Sequence, residues 1–189
     1  MPLSTFVIFD VDGVLIDSRE AVRQAYASVD IVVPEKAWGI SWREWLPEMV
    51  ESESRAKKLH VAKNEAYPGM IRKFARELPP IKTLRELLML DVRVGILTAA
   101  SLHAARMVSI HLGIHRDVEF IGTECRNKVE VLARLSDKGQ YVDDHDQFFN
   151  IKNFDKIGWR FIHYVPTMSS DDLMEVLEDG HYHLSRREE

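Results

Sequence analysis

Two aspartates one residue apart, Asp10 and Asp12, follow four consecutive apolar residues, Phe6 to Phe9, and precede Gly13. In extended backbone the side chains alternate between faces, so both carboxylates point one way while Val11 turns inward. Glycine allows the chain to bend tightly there. A bare Asp-x-Asp-Gly is commonly a surface loop, but the apolar run in front of it makes it the end of a buried strand. An EF-hand calcium loop does not fit, because Val14 stands where an oxygen ligand is needed and Ala21 where the glutamate is needed. Other groups capable of chemistry lie far downstream: Thr98, Lys128 and the pair Asp143–Asp144. Lys128 starts a helical stretch with Asn127 as a plausible N-cap. A cation there is unfavourable, since a helix N-terminus is already partly positive; an anion in front of both removes the conflict.

The elements that must position these groups can be read from apolar runs. Phe6 to Phe9 is a strand buried on both faces, as in the middle of a parallel sheet. Val92 to Leu97 ends at Thr98, Val118 to Gly122 is a short third strand, Tyr141 and Val142 end a fourth, and WRFIHY (159–164) is a fifth. Helical stretches alternate with them: Ile81 to Leu90, Leu102 to Leu112 ending at Gly113, the run from Lys128, Ile151 to Ile157, and a final one in SSDDLMEVLED. Alternation of this kind gives right-handed crossovers and a parallel α/β sheet, which brings the functional strand ends to one carboxyl edge. Open α/β sheets bind ligands at that edge. Between Arg19 and Leu78 the pattern is helical throughout, with expected breaks at Pro34 and at Pro68–Gly69.

The stretch Phe6 to Ser18 matches hhhhDxDGxxxDS throughout and resembles the first motif of the haloacid dehalogenase superfamily of phosphotransferases. The resemblance extends to a strand ending in a hydroxyl at Thr98, a lysine at a helix start at Lys128, and paired acids after a strand at Asp143 and Asp144. Relatives often carry Asn or Gly where Ala99 stands, which removes a side-chain donor and leaves the backbone one. The resemblance implies a Rossmann-like five-stranded parallel sheet of order 3-2-1-4-5, flanked by helices, formed by residues 1–18 and 79–189. Residues 19–78 would form a small all-helical cap over the site. It implies Asp10 as nucleophile and Asp12 as general acid. Thr98, Ala99, Gly13 and Lys128 would hold phosphate oxygens. Clustered carboxylates repel one another unless a hard cation sits among them, so Mg²⁺ is expected on Asp10, the Asp12 backbone carbonyl and Asp144, with Asp143 accessory. Asp10, at its ordinary pKa of about 3.9, would be ionised at neutral pH. Asp12 must be protonated, which needs a pKa raised by about 2 to 3 units.

The expected activity is hydrolysis of a small phosphomonoester through an aspartyl-phosphate. The short cap, LTAAS and the VDD ending are similar both to phosphoglycolate or sugar-phosphate phosphatases and to 5′-deoxyribonucleotidases. A phosphomutase shares every residue named, whereas a non-catalytic binding module would have lost at least one. Trp38, Trp42 and Trp45, spaced i, i+4 and i+7, would share one helical face and form the cap's core, with stacking on a substrate base or sugar ring as the alternative. Lys57, Lys58, Lys63, Arg72, Lys73 and Arg76 form a loosely basic stretch, read as a solvated face, with the alternative that one of them reaches a bound phosphoester. His145 and Asp146 fall in a loop, and His181 and His183 in a charged tail read as inert.

The chain has 189 residues, 46% of them hydrophobic, which supports one sizeable core and a small insertion. Its net charge of −5 offers no general attraction for a nucleic-acid polymer, so an anionic substrate must be held by local donors or a metal. Cys125 is alone, and no apolar run approaches the roughly 20 residues of a membrane span, so a cytoplasmic protein is expected. The sequence leaves the oligomeric state open.

Overall fold

A computed structural model describes residues 6–38, 41–125, 127–144 and 151–179. His145, Asp146, His181 and His183 lie outside the described residues. In chain order the elements are β1 (Phe6–Phe9), β2 (Ile16–Asp17), α1 (Arg19–Ala27), a 3₁₀ turn (Glu35–Ala37), α2 (Trp42–Val50), α3 (Glu53–Phe74) and β3 (Arg76–Glu77). Then come α4 (Pro80–Met89), β4 (Arg93–Leu97), α5 (Leu102–His111), β5 (Glu119–Gly122), α6 (Lys128–Ala133), β6 (Gln140–Asp143), α7 (Ile151–Lys156), β7 (Arg160–His163) and α8 (Ser170–Asp179).

The main sheet has five parallel strands in the order β5-β4-β1-β6-β7, the expected 3-2-1-4-5 order with β1 central. The strand is buried on both faces because its side chains serve two cores. Val7 and Phe9 join Val94, Ile96 and Val142 on one side. Phe6 and Ile8 join Leu97, Tyr141, Phe154 and Trp159 on the other. Register fixes the level of the strand ends: Phe9 pairs with Ile96 and with Val142, so Asp10, Thr98 and Asp143 emerge within a residue or two of one another.

The insertion differs from its sequence reading in three respects. Helix α3 runs through Pro68 and Gly69 rather than stopping. Proline removes one ladder hydrogen bond, but Tyr67 and Ile71, both buried on the main core, hold the helix in place on either side. Second, Arg76–Glu77 is a strand, pairing antiparallel with Ile16–Asp17. Leu78 N–H also donates to the Leu15 carbonyl at 3.1 Å. The two ends of the helical segment are therefore joined by one ribbon, whose two-residue strands are too short to carry a periodicity. Third, Trp38 lies outside any helix and Trp42 opens α2, so the three tryptophans do not share a helical face. They still pack. Trp45 is buried with Tyr26, Leu46 and Ala56, and Trp38 and Trp42 lie against that cluster.

Candidate active site

The loop after β1 is folded tightly on itself. Leu15 N–H donates to the Val11 carbonyl at 2.9 Å, and Gly13 N–H to the Ile16 carbonyl at 2.9 Å. Gly13 has φ +85°, and a Cβ there would lie 2.2 Å from Asp144 Oδ2. Only glycine lets this turn pass against that carboxylate. Asp10 is anchored by its own N–H to the Val142 carbonyl at 2.9 Å, which locks the first carboxylate to the strand carrying Asp143.

Four charged side chains meet here. Lys128 Nζ lies 2.7 Å from Asp143 Oδ2 and 3.1 Å from Asp10 Oδ1. The lysine opens α6, where Asn127 Oδ1 accepts from Glu130 N–H at 3.1 Å as the N-cap. Asp10 and Asp143 place two anionic groups in front of this cationic helix start. Tyr141, two residues before Asp143 on the same face of β6, donates to Asp143 Oδ2. Asp143 is fully buried, Asp144 is half-buried, and the Asp144 carbonyl sits 3.2 Å from His163 Nε2.

Burial governs the protonation of these groups. It pushes the Asp10 carboxyl up to about 7; the Lys128 charge pulls it down, and the charges of Asp143 and Asp12 push it up again. Without a divalent cation beside it, Asp10 thus resists ionisation more than the ordinary carboxylate expected from the sequence, because it is cut off from water and set beside other acids. Asp12 is also raised, by burial first, against the Ser18 hydroxyl, which donates to its Oδ1, and the charges of Lys63 and Lys128. Burial would lower the pKa of Lys128, but Asp10 and Asp143 outweigh it and raise the pKa.

The cluster suits a cation. Carboxylate oxygens of Asp10, Asp143 and Asp144 all lie within 4.8 Å of one another. Asp10 Oδ1 is buried without a well-directed hydrogen bond among the described residues, its lysine contact being an ion pair alone. An all-oxygen, mostly buried, mutually repelling donor set is what a hard divalent ion prefers.

Thr98 is buried at the end of β4; its N–H donates to the Gly122 carbonyl at 3.0 Å, and its Oγ1 accepts from Ala100 N–H at 3.1 Å. Ala99 beside it is exposed at the same edge. Asp10, Asp12, Gly13, Thr98, Ala99, Lys128, Asp143 and Asp144 thus all follow or end strands β1, β4, β5 and β6 at one sheet edge.

The sequence groups Lys63 with five other basic residues and does not single out which of the six could leave the solvated face. Lys63 is only 6% exposed, whereas Lys57, Lys58, Arg72, Lys73 and Arg76 are exposed. Burial lowers its pKa to about 8, against the charge of Asp12. Its spacing of four residues from the buried Tyr67 was the one available signal, since i and i+4 share a helix face. Tyr141 was equally readable as a same-face neighbour of Asp143. The insertion also touches the sheet domain through Arg43 and Glu124, 3.4 Å apart and both about half exposed, a contact of small energetic weight.

No protein-family model matches the chain, and no curated protein matches its sequence. Solved structures do match in fold. The chain is similar to a haloacid dehalogenase-like family hydrolase from Streptococcus pneumoniae at 18% identity and TM-score 0.62, covering 93% of this chain and 92% of that one. It is similar to β-phosphoglucomutase from Clostridium difficile at 19% identity and TM-score 0.62, covering 93% and 97%. A variant of CbbY from Rhodobacter sphaeroides, solved with xylulose-(1,5)-bisphosphate, superposes at TM-score 0.68 and 16% identity, covering 85% and 86%. The chain has the fold of haloacid dehalogenase-like hydrolases and phosphomutases.

Proposed function

We propose that the chain is a haloacid dehalogenase-superfamily phosphatase, a Mg²⁺-dependent hydrolase of a small phosphomonoester acting through an aspartyl-phosphate on Asp10. The observation that carries this reading is the Lys128 bridge between Asp10 and Asp143, set beside Asp12 and Asp144 at the carboxyl edge of a parallel sheet. Residues 1–18 and 79–189 form the catalytic domain in this reading, and residues 19–78 the cap.

Asp10 attacks phosphorus in line, forming an O–P bond as the ester O–P bond breaks. Asp12, its carboxyl raised by burial, gives its proton to the departing oxygen. In the second half Asp12 takes a proton from water as the water oxygen bonds to phosphorus, and the bond from Asp10 to phosphorus breaks to release phosphate. Lys128 holds Asp10 oriented through its 3.1 Å contact and faces the equatorial oxygens. Thr98 and the backbone at Ala99 bind the phosphoryl oxygens, whereas the Gly13 N–H, expected to share in this, is committed to the Ile16 carbonyl at 2.9 Å and Gly13 serves the turn instead. Asp10, Asp144 and the Asp12 carbonyl would hold Mg²⁺, with Asp143 supporting them; the ion supplies positive charge that keeps Asp10 ionised and offsets charge on the transferring group. The role of Asp143 is indirect because its Oδ2 is committed to Lys128 and Tyr141.

Likeness to β-phosphoglucomutase supports a second reading, transfer of the phosphoryl group within or between sugar phosphates. Phosphate release from nucleotides, sugar phosphates and phosphoglycolate, with and without Mg²⁺, separates the two. A phosphatase releases phosphate in every productive case, while a mutase yields an isomer and little phosphate. No helix among the described residues is long and apolar enough to cross a membrane, and the free Cys125 is in keeping with a reducing cytoplasm.

A further inference from the structure

Lys63 stands out among the buried groups that the mechanism above does not use. It projects from α3 with its Nζ 4.1 Å from the ring centroid of Tyr67 and 5.3 Å from that of Tyr26, both buried. Its one hydrogen bond is a long one to the side chain of its neighbour Asn64, at 3.4 Å. Among the described residues it makes no ion pair within 4.0 Å, although it is only 6% exposed. An ammonium removed from water needs an opposite charge in contact or several good acceptors. Two aromatic faces recover part of that cost and satisfy no N–H. The charge acting on Lys63 from the sheet domain is that of Asp12, the proposed proton donor to the leaving oxygen. The Tyr67 ring against which Lys63 lies is hydrogen-bonded with the Ser18 side chain, and the Ser18 hydroxyl donates to Asp12, which sets Lys63 on the Asp12 side of α3.

We propose that Lys63 is a specificity-determining residue that binds a second anionic group on the substrate, so that the favoured substrates are phosphomonoesters bearing a carboxylate or a second phosphate near the scissile bond. A neutral sugar hydroxyl would offer an acceptor but leave the buried charge uncompensated. The inference uses the phosphatase reading to locate the leaving group. Methionine at this position would keep the aliphatic stem against Tyr26 and Tyr67 and remove only the charge.

The test is equilibrium binding by calorimetry in Mg²⁺, using three non-hydrolysable probes: 3-phosphonopropionate, propane-1,3-bisphosphonate and the neutral-tailed 3-hydroxypropylphosphonate. The wild-type protein should bind one of the first two at least about tenfold more tightly than the third. Whichever is preferred identifies carboxylate or phosphate as the second anion. Lys63→Met should erase the preference while leaving 3-hydroxypropylphosphonate binding within about twofold, and Lys63→Arg should retain most of it. The inference is overturned if the wild-type protein binds all three equally, if it binds none, or if Lys63→Met keeps the preference. The wild-type comparison stands without any variant, so misfolding cannot obscure it. Turnover of an aryl phosphate, measured in parallel, tests the phosphatase reading separately: preference without turnover sinks that reading alone, and turnover without preference sinks the role of Lys63 alone.

Discussion

Replacing Lys128 with methionine removes a cation lying 2.7 Å from one carboxylate and 3.1 Å from another, with all three side chains no more than 10% exposed. The result is two acids facing each other in a site from which water is largely excluded. Breaking a buried pair by deleting one partner costs about 3–5 kcal/mol, because the remaining charge is uncompensated. Asp10 already has a pKa of about 7 and can take up a proton cheaply near neutrality, so the lower end of that range, about 3 kcal/mol, applies. At about 2 kcal/mol per molar urea for a chain of this size, the unfolding midpoint should fall by about 1.5 M. The assay is urea denaturation followed by tryptophan fluorescence at neutral pH in EDTA. The double variant Lys128→Met with Asp143→Asn should recover part of the loss, because it also removes the stranded charge. If Lys128→Met lies within about 0.5 kcal/mol of wild type, or the double variant is as unstable as the sum of its parts, the electrostatic account of this cluster is wrong.

Asp12→Asn should slow hydrolysis of an alkyl phosphate by about 10²–10⁴ and an activated aryl phosphate much less, since a good leaving group needs no proton; equal losses in kcat/KM would remove Asp12 as the acid. Gly13→Ala places a methyl 2.2 Å from Asp144 Oδ2 and forces alanine to φ +85°. Besides about 1–2 kcal/mol of backbone strain, it should weaken Mg²⁺ binding as measured by calorimetry, and an unchanged affinity would count against Asp144 as a ligand. Asp10 titrates at about 7 folded against 3.8 unfolded, so the folded state holds a proton that the unfolded state has released. Metal-free wild type should therefore lose stability relative to Asp10→Asn as pH rises from about 4 to 7, by up to roughly 4 kcal/mol. Chemical denaturation of both proteins across that range in EDTA checks this, and a pH-independent difference would mean that Asp10 is not desolvated.

The sheet was legible because its strands are short apolar runs with no competing periodicity, three of which, β1, β4 and β6, end at a polar residue of the candidate site. Asp10 and Lys128 could be placed on one edge from alternation alone. The insertion was less legible because its helices answer to two partners. Ala21 and Ala25 of α1 face the main core while Tyr26 faces the insertion's own cluster, and Tyr67 and Ile71 tie the far end of α3 to the sheet domain. That tertiary packing carries α3 past Pro68, which local propensity could not foresee. The same cause hid Lys63, because a helix's phase toward a neighbouring domain cannot be read from the helix. Ile16–Asp17 and Arg76–Glu77 pair across about sixty intervening residues, and nothing local marks either as a strand.

The central claim is that phosphoryl transfer proceeds through Asp10. Acid quenching during turnover of an aryl phosphate in Mg²⁺, borohydride reduction and peptide mass spectrometry test it directly, since reduction converts an aspartyl-phosphate to homoserine. The account predicts homoserine at position 10, dependent on both substrate and Mg²⁺, and at no other aspartate. Turnover without modification at Asp10, or modification at Asp12 or Asp144 instead, would contradict it.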